Sequence, residues 1–472
     1  MPKRKIIAHK KSVMREMIAI ALPMVISQGC DTVMIFTDRL FLSRLGPELM
    51  NASMGGGLTA FVMLTFFIGL IGYTTALAAQ YLGAGFKNKC AVVVTQAVLI
   101  AFIAYPLILI CRPLAYLFFD KMGVDSAQLV LQKVYFNILI SAAILNLFRC
   151  SLSCFFSGIG RTRVVMSASF VSMTVNIFFN YVLIYGKLGF PALGIRGAAY
   201  GTIIGSFGGF LVLLWAYLNK NNRVEFQIKQ SFRIDWEVIK KLLRFGTPSG
   251  VEMFLNLLAF NLMIMTFHSH SRVTATAATI MFNWDLVAFV PLIGIEIGVT
   301  SLVGRYMGAR DPDKAHMATM AAMKMGFIYS AIIFVLFALF PEHLVNFFRP
   351  NVPGLIYAQA EKLAVFMLRI ASFYVLVDAM IVAIVGALRG AGDTMWAMWM
   401  TVVLHWLVAG VAFMMMKVLR LSPQAGWTAV VSVFFVFSFL IYWRYHSGQW
   451  KSISVISPEP EMLSGDVFHE SL

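Results

Sequence analysis

Charge is scarce in this chain. Only 13% of its 472 residues are Asp, Glu, Lys or Arg, about half the share found in soluble domains. Hydrophobic residues make up 60%, and the mean hydropathy is +0.80. A water-soluble enzyme is excluded. Cysteine is scarce as well: Cys30, Cys90, Cys111, Cys150 and Cys154 are odd in number and form neither a CxxC nor a Cys/His cluster, which argues against a disulfide framework or a zinc site. The eight histidines show no HExxH or comparable spacing, so no cofactor or resident metal is expected. Acidic residues are outnumbered 22 to 38 by Lys and Arg, a net charge of +16. The basic residues are scattered among short loops between apolar stretches, the pattern of a positive-inside membrane topology and not of a nucleic-acid surface.

What the chain has in abundance is long apolar runs. Windows at 16–43, 53–82, 91–119, 129–157, 163–186, 195–218, 238–267, 276–304, 317–348, 359–388, 394–418 and 425–445 each reach the ~20 residues needed to cross a bilayer core. Twelve crossings exclude a single-pass receptor and place both ends on one side. Positive-inside counting makes that side cytoplasmic, because the loops assigned to it hold the larger share of Lys and Arg. The predicted organisation is a basic amino-terminal arm (1–15), a six-helix lobe (16–218), a polar cytoplasmic linker (219–244), a second six-helix lobe (245–446) and a polar tail (447–472) that reads as disordered.

The halves repeat. Pro23 recurs as Pro248 and Tyr81-Leu82-Gly83-Ala84 as Tyr306-Met307-Gly308-Ala309, each 225 residues on; Gly158-Ile-Gly-Arg-Thr162 recurs as Gly390-Ala-Gly-Asp-Thr394 after 232. Six crossings per repeat give both halves the same orientation, the parallel-repeat plan of a transporter whose two bundles rock about a central cavity. The predicted fold class is an all-α polytopic membrane protein of twelve transmembrane helices in two pseudo-symmetric lobes.

Carboxylates inside the crossings carry the chemistry. Each costs roughly 3 kcal/mol near the bilayer centre unless it has a partner, a proton or a wet cavity. Asp31, Asp38, Glu252, Asp285, Glu296 and Asp378 all fall within predicted crossings. Asp31 and Asp38 are seven apart and Asp285 and Glu296 eleven apart, so each pair lies within about 20° on one helix face. Pairing with Arg or Lys is the simple alternative for each; it is most natural for Asp38, beside Arg39, and least natural for Asp378. A buried acid that alternates between a proton and a cation performs ion-coupled transport. Asn176 and Asn180, and Tyr374 and Asp378, are each one helical turn apart and can add ligand oxygens or hydrogen bonds.

Several stretches resemble the MATE (multidrug and toxic compound extrusion) transporters: Asn180-Tyr-Val-Leu-Ile-Tyr-Gly186, Gly189-Phe-Pro-Ala-Leu-Gly-Ile-Arg-Gly197-Ala-Ala-Tyr-Gly-Thr202, Gln80-Tyr-Leu-Gly83-Ala84, Gly304-Arg-Tyr-Met-Gly308-Ala309 and Ala387-Leu-Arg-Gly-Ala-Gly-Asp-Thr394. The resemblance implies export of cationic, often amphipathic compounds in exchange for inward Na⁺ or H⁺, by a monomer among the lipids of a bacterial cytoplasmic (inner) membrane. It places an amino-lobe polar site at Asp38, Asn176, Asn180 and Thr202, and carboxy-lobe coupling residues at Tyr374 and Asp378. The family's span-seven Glu falls on Asn256, with Glu252 one turn earlier. Glu252, Asp285, Glu296 and Asp378 are expected to form one acid cluster. A flippase or single-metabolite exporter on the same scaffold is the alternative, with a channel or membrane-embedded enzyme further off.

Overall fold

The computed structural model describes residues 3–121, 126–349 and 355–456, and among them there is no β-strand. Among the described residues, eleven helices are long and apolar enough to cross a membrane, and twelve when a bent pair counts as one. Span one is Ser12–Ser43, two Glu48–Gly83, three Lys87–Asp120, four the pair Gln128–Ser141 and Ala143–Gly158, five Thr162–Tyr185 and six Ile195–Leu218. Span seven is Trp236–His268, eight Arg272–Gly308, nine Pro312–Leu339, ten Leu355–Ala391, eleven Thr394–Val418 and twelve Pro423–His446. The apolar window 129–157 is therefore not one straight helix: it bends by 48° at the break. The sequence there is apolar throughout, so hydropathy carries no mark of the bend.

Local chemistry sets several ends. The carboxylate of Asp235 accepts from the Val238 backbone N–H at 3.2 Å and caps span seven, and the Ser271 hydroxyl does the same for span eight through the Thr274 N–H at 3.1 Å. Both satisfy donors that a helix start leaves orphaned. Span five stops at Gly186, whose φ of 66° is left-handed and suits a residue without a Cβ.

Small residues let the spans approach closely. On span six, a Cβ at Gly205 would lie 2.7 Å from the Ser172 carbonyl and one at Gly209 3.0 Å from that of Ala168, so span five rests directly on that stripe. In the second half, a Cβ at Gly390 of span ten would stand 2.6 Å from the Thr300 carbonyl of span eight.

The halves also touch each other, at one end. A Cβ at Gly69 (span two) would lie 2.6 Å from the Ser249 carbonyl, one at Gly246 (span seven) 2.6 Å from that of Leu70, and one at Gly294 (span eight) 2.5 Å from the Val25 nitrogen of span one. These residues sit in the halves of their spans nearest the connection between spans six and seven, here called the linker end. Polar ties reinforce it: Gln80 donates to the Gly390 carbonyl at 2.8 Å, Ser301 donates to that of Ser157 at 2.6 Å, and Glu16 pairs with Arg305.

The segment after span twelve adds a strap. Trp450 is buried against the second half's core and stacks on Tyr445, with ring centroids 5.1 Å apart. Five residues later Val455 is buried in the first half's core. The expectation of a disordered tail from 447 fails for these residues, because Trp450, Ile453, Val455 and Ile456 supply an apolar edge that the lobes cover. Residues 457–472 lie outside those described. The basic arm continues the helix of span one back to Lys3.

Candidate functional site: intramembrane carboxylates in both lobes

Asp38 is only 6% exposed. Asn180 donates its amide to one carboxylate oxygen and the Thr202 hydroxyl donates to the other at 2.9 Å. Behind them, the Asn180 amide also reaches the Asn176 side-chain carbonyl at 3.1 Å, and the Asn176 amide reaches Thr202 Oγ1 at 3.4 Å. Spans one, five and six thus place four sequence-predicted residues in one network. Every donor in it is neutral. No ion pair among the described residues involves Asp38, and the Asn180 Oδ1 acceptor has no partner. Arg39, beside Asp38 in the chain, lies within electrostatic reach but forms no ion pair with it among the described residues. Asp31, on the same helix, is the acid that pairs, with Arg149 of span four at 3.4 Å.

The carboxy lobe departs from expectation in a specific way. Of the expected cluster of Glu252, Glu296, Asp285 and Asp378, Arg389 takes two acids as ion-pair partners. Its Nη2 lies 2.8 Å from Glu252 Oε1 and its Nη1 binds Glu296 Oε1. The Thr401 hydroxyl donates to Glu252 at 2.5 Å, and His405 one turn later bonds the Thr401 carbonyl at 2.7 Å. Glu252 is 2% exposed, so desolvation makes the guanidinium necessary. Two carboxylates on one guanidinium leave a net charge of −1. Glu252 Oε2, Arg389 Nε and the neighbouring Asn256 Oδ1 are buried without a partner.

The other two acids are not among the ion-pair partners of Arg389. The Tyr374 phenol donates to Asp285, not to Asp378 one turn along its own helix. Asp378 makes no hydrogen bond or ion pair among the described residues and lies within electrostatic reach of Asp285 and Glu296. Sequence reasoning missed Arg389, Thr401 and His405. Arg389 stood in the quoted Ala387–Thr394 stretch, just past the predicted crossing 359–388, and its distance from Glu252 in sequence hid the pairing.

Outside the membrane, ion pairs tie the connection between spans six and seven to span three. Glu225 accepts from Lys87 at 3.0 Å and from Arg161 at 2.6 Å, and these cations hold its carboxyl below the usual range, the Lys87 hydrogen bond most of all. Burial pushes Asp235 up, but the 2.9 Å bond from Lys89 and its capping bond prevail and keep it low.

The MatE family model matches residues 23–182 and again 248–414, one match in each half. This chain belongs to the MatE family. Among curated relatives, a probable multidrug resistance protein NorM of Thermotoga maritima is 26% identical over 94% of this chain and 95% of its own length. Multidrug resistance protein MdtK of Yersinia enterocolitica is 25% identical over 84% and 85%. Among solved structures, a MOP superfamily transporter from Pyrococcus furiosus superposes with a TM-score of 0.85 at 20% identity, covering 93% of this chain and 97% of that one. A multidrug resistance MATE transporter in an outward-facing conformation gives 0.82 at 20%, covering 94% and 97%. The MatE chain is thus a multi-pass membrane transporter with the two-lobe fold.

Proposed function

We propose that this MatE chain is a secondary active antiporter of a bacterial cytoplasmic membrane, exporting cationic or amphipathic organic compounds in exchange for inward H⁺ or Na⁺. The relatives' names support multidrug export as the cargo class. The observation that carries the exchange is Asp38: a carboxylate 6% exposed, within span one and five residues before its end at Ser43, hydrogen-bonded only by neutral donors. Such a group must take up a proton or a cation to be tolerated there. Asp378, with no hydrogen bond or ion pair among the described residues, has the same need in the carboxy lobe. Tyr374 positions Asp285, while Asn176, Asn180 and Thr202 orient Asp38. Glu252 and Glu296, fixed on Arg389, serve as the lobe's internal anchor, with Asn256 beside them.

Alternating access is supported by where the lobes touch. Close approaches at the linker end seal that side, and rocking about them exposes the acids to one face and then the other. We place both termini and the linker in the cytoplasm, with the chain acting as a monomer among membrane lipids and without nucleic acid. The test is uptake of a fluorescent amphipathic cation into everted vesicles under an imposed Na⁺ or pH gradient. Uptake that follows one gradient and fails in Asp38→Asn and Asp378→Asn supports the reading. Uptake indifferent to both gradients overturns it.

A further inference from the structure

Arg149 lies on the second arm of span four, seven residues past the bend. No residue from 142 to 160 is exposed, so this arm runs inside the amino lobe. The Arg149 side chain nonetheless keeps 23% exposure, and Asp31 opposite it keeps 30%. Its one hydrogen bond among the described residues is the 3.4 Å contact from Nη1 to Asp31 Oδ1. A guanidinium has five N–H donors, so four are left to water or to a ligand. Arg389, by contrast, spends two nitrogens on carboxylate oxygens, and Arg444 spends all three on protein oxygens.

A cation at membrane depth with most of its donors unspent is costly unless water or an anion completes it. The planar fork suits a carboxylate, which can take two parallel N–H bonds where Asp31 takes one. Asp31 and Asp38 lie on nearly one face of span one, seven residues apart, which at 1.5 Å per residue is about 10 Å. The lobe therefore presents an open guanidinium beside Asp31 and, about 10 Å further along span one, a carboxylate whose hydrogen bonds all come from neutral donors.

We propose that Arg149 is an anion-binding group of the amino lobe, and that this lobe accepts zwitterionic amphiphiles, a carboxylate docking on Arg149 while a positive centre faces Asp38. The proposal rests on the transport reading above and narrows its substrate class. Asp31 acts as the resident partner that keeps the guanidinium tolerable between substrates and yields the fork when a carboxylate arrives.

The test uses the full chain in proteoliposomes with two probes of one aromatic core: a fluorescent zwitterion bearing an amine and a carboxyl about 10 Å apart, and its methyl ester, a simple cation. Arg149→Gln is expected to lower the zwitterion-to-ester uptake ratio at least tenfold. Arg149→Lys recovers part of it, because the charge stays and the fork is lost, and Asp31→Asn holds or raises it. An unchanged ratio in Arg149→Gln overturns the proposal. So does a loss in Asp31→Asn equal to that in Arg149→Gln, since the pair would then only hold two spans together. If Arg149→Gln does not insert, the ratios of Arg149→Lys and Asp31→Asn decide. Equilibrium binding of both probes to the purified chain separates this proposal from the transport reading. Wild type that binds the ester and not the zwitterion overturns the anion site, whereas binding of both without gradient-driven uptake overturns transport alone.

Discussion

Arg389 of span ten and Glu252 of span seven meet at 2.8 Å, and the same guanidinium binds Glu296 of span eight. One side chain thus joins three helices of the carboxy lobe. Arg389→Gln would leave both carboxylates buried without a counter-charge, a loss expected to cost roughly 3–5 kcal/mol. Glu252→Gln leaves Arg389 on Glu296 and is expected to be much milder. Thermal unfolding of the two purified variants in detergent checks the order; equal melting temperatures would contradict it.

The glycines between the lobes give a second prediction. A methyl at Gly69 has the Ser249 carbonyl 2.6 Å away, and backbone cannot yield as a flexible side chain can. Gly69→Ala is expected to push the lobes apart at the linker end. A thiol reagent applied from that side should label Ser249→Cys faster in the Gly69→Ala background. An unaltered labelling rate would mean that the lobes do not close there.

The strap at 449–456 joins the lobes by apolar contact: Trp450 on one side, Val455 on the other. A chain ending after Ser452 keeps Trp450 and loses Val455. It is expected to open more readily at the linker end, with the same thiol labelling faster and a smaller shift in melting temperature than Arg389→Gln causes. Val455→Asp should reproduce the truncation, since a charge cannot stay in that core.

Glu225 supplies a pH prediction. Lys87 and Arg161 hold its folded-state pKa below its unfolded value. Its contribution is therefore complete above the ordinary Glu range near pH ~4.3 and is lost as pH falls through the lower folded value. A spin label at Asn221 should keep constant mobility from pH 8 to about 5 and loosen only in stronger acid. Loosening centred near neutrality would point to another group.

Much of this was legible in the sequence. Hydropathy and the 225-residue repeat lead to twelve spans in two lobes, because a bilayer demands long apolar helices and little else looks like one. The Asp38 network was legible too, since Asn176 and Asn180 share a helix face and Asp38 and Thr202 carry the family resemblance. What stayed hidden depends on contacts far apart in the chain. Span four bends within an evenly apolar stretch. Tyr374 turns to Asp285 on another helix and not to Asp378 on its own. Arg389 neutralises Glu252 across 137 residues of sequence. Helical spacing reports which side chains share a face, but not what the neighbouring helix brings to it.

The central claim is that Asp38 holds either the coupling ion or a positive substrate, never both. Linkage then requires each to weaken the other's binding by the same factor. Titration of the purified chain with an amphipathic cation, at low and high Na⁺ and at two pH values, measures that factor directly. The account predicts that the coupling ion weakens cation binding in wild type and has no such effect in Asp38→Asn. Cation affinity independent of both ions in wild type, or the same dependence persisting in Asp38→Asn, would contradict it.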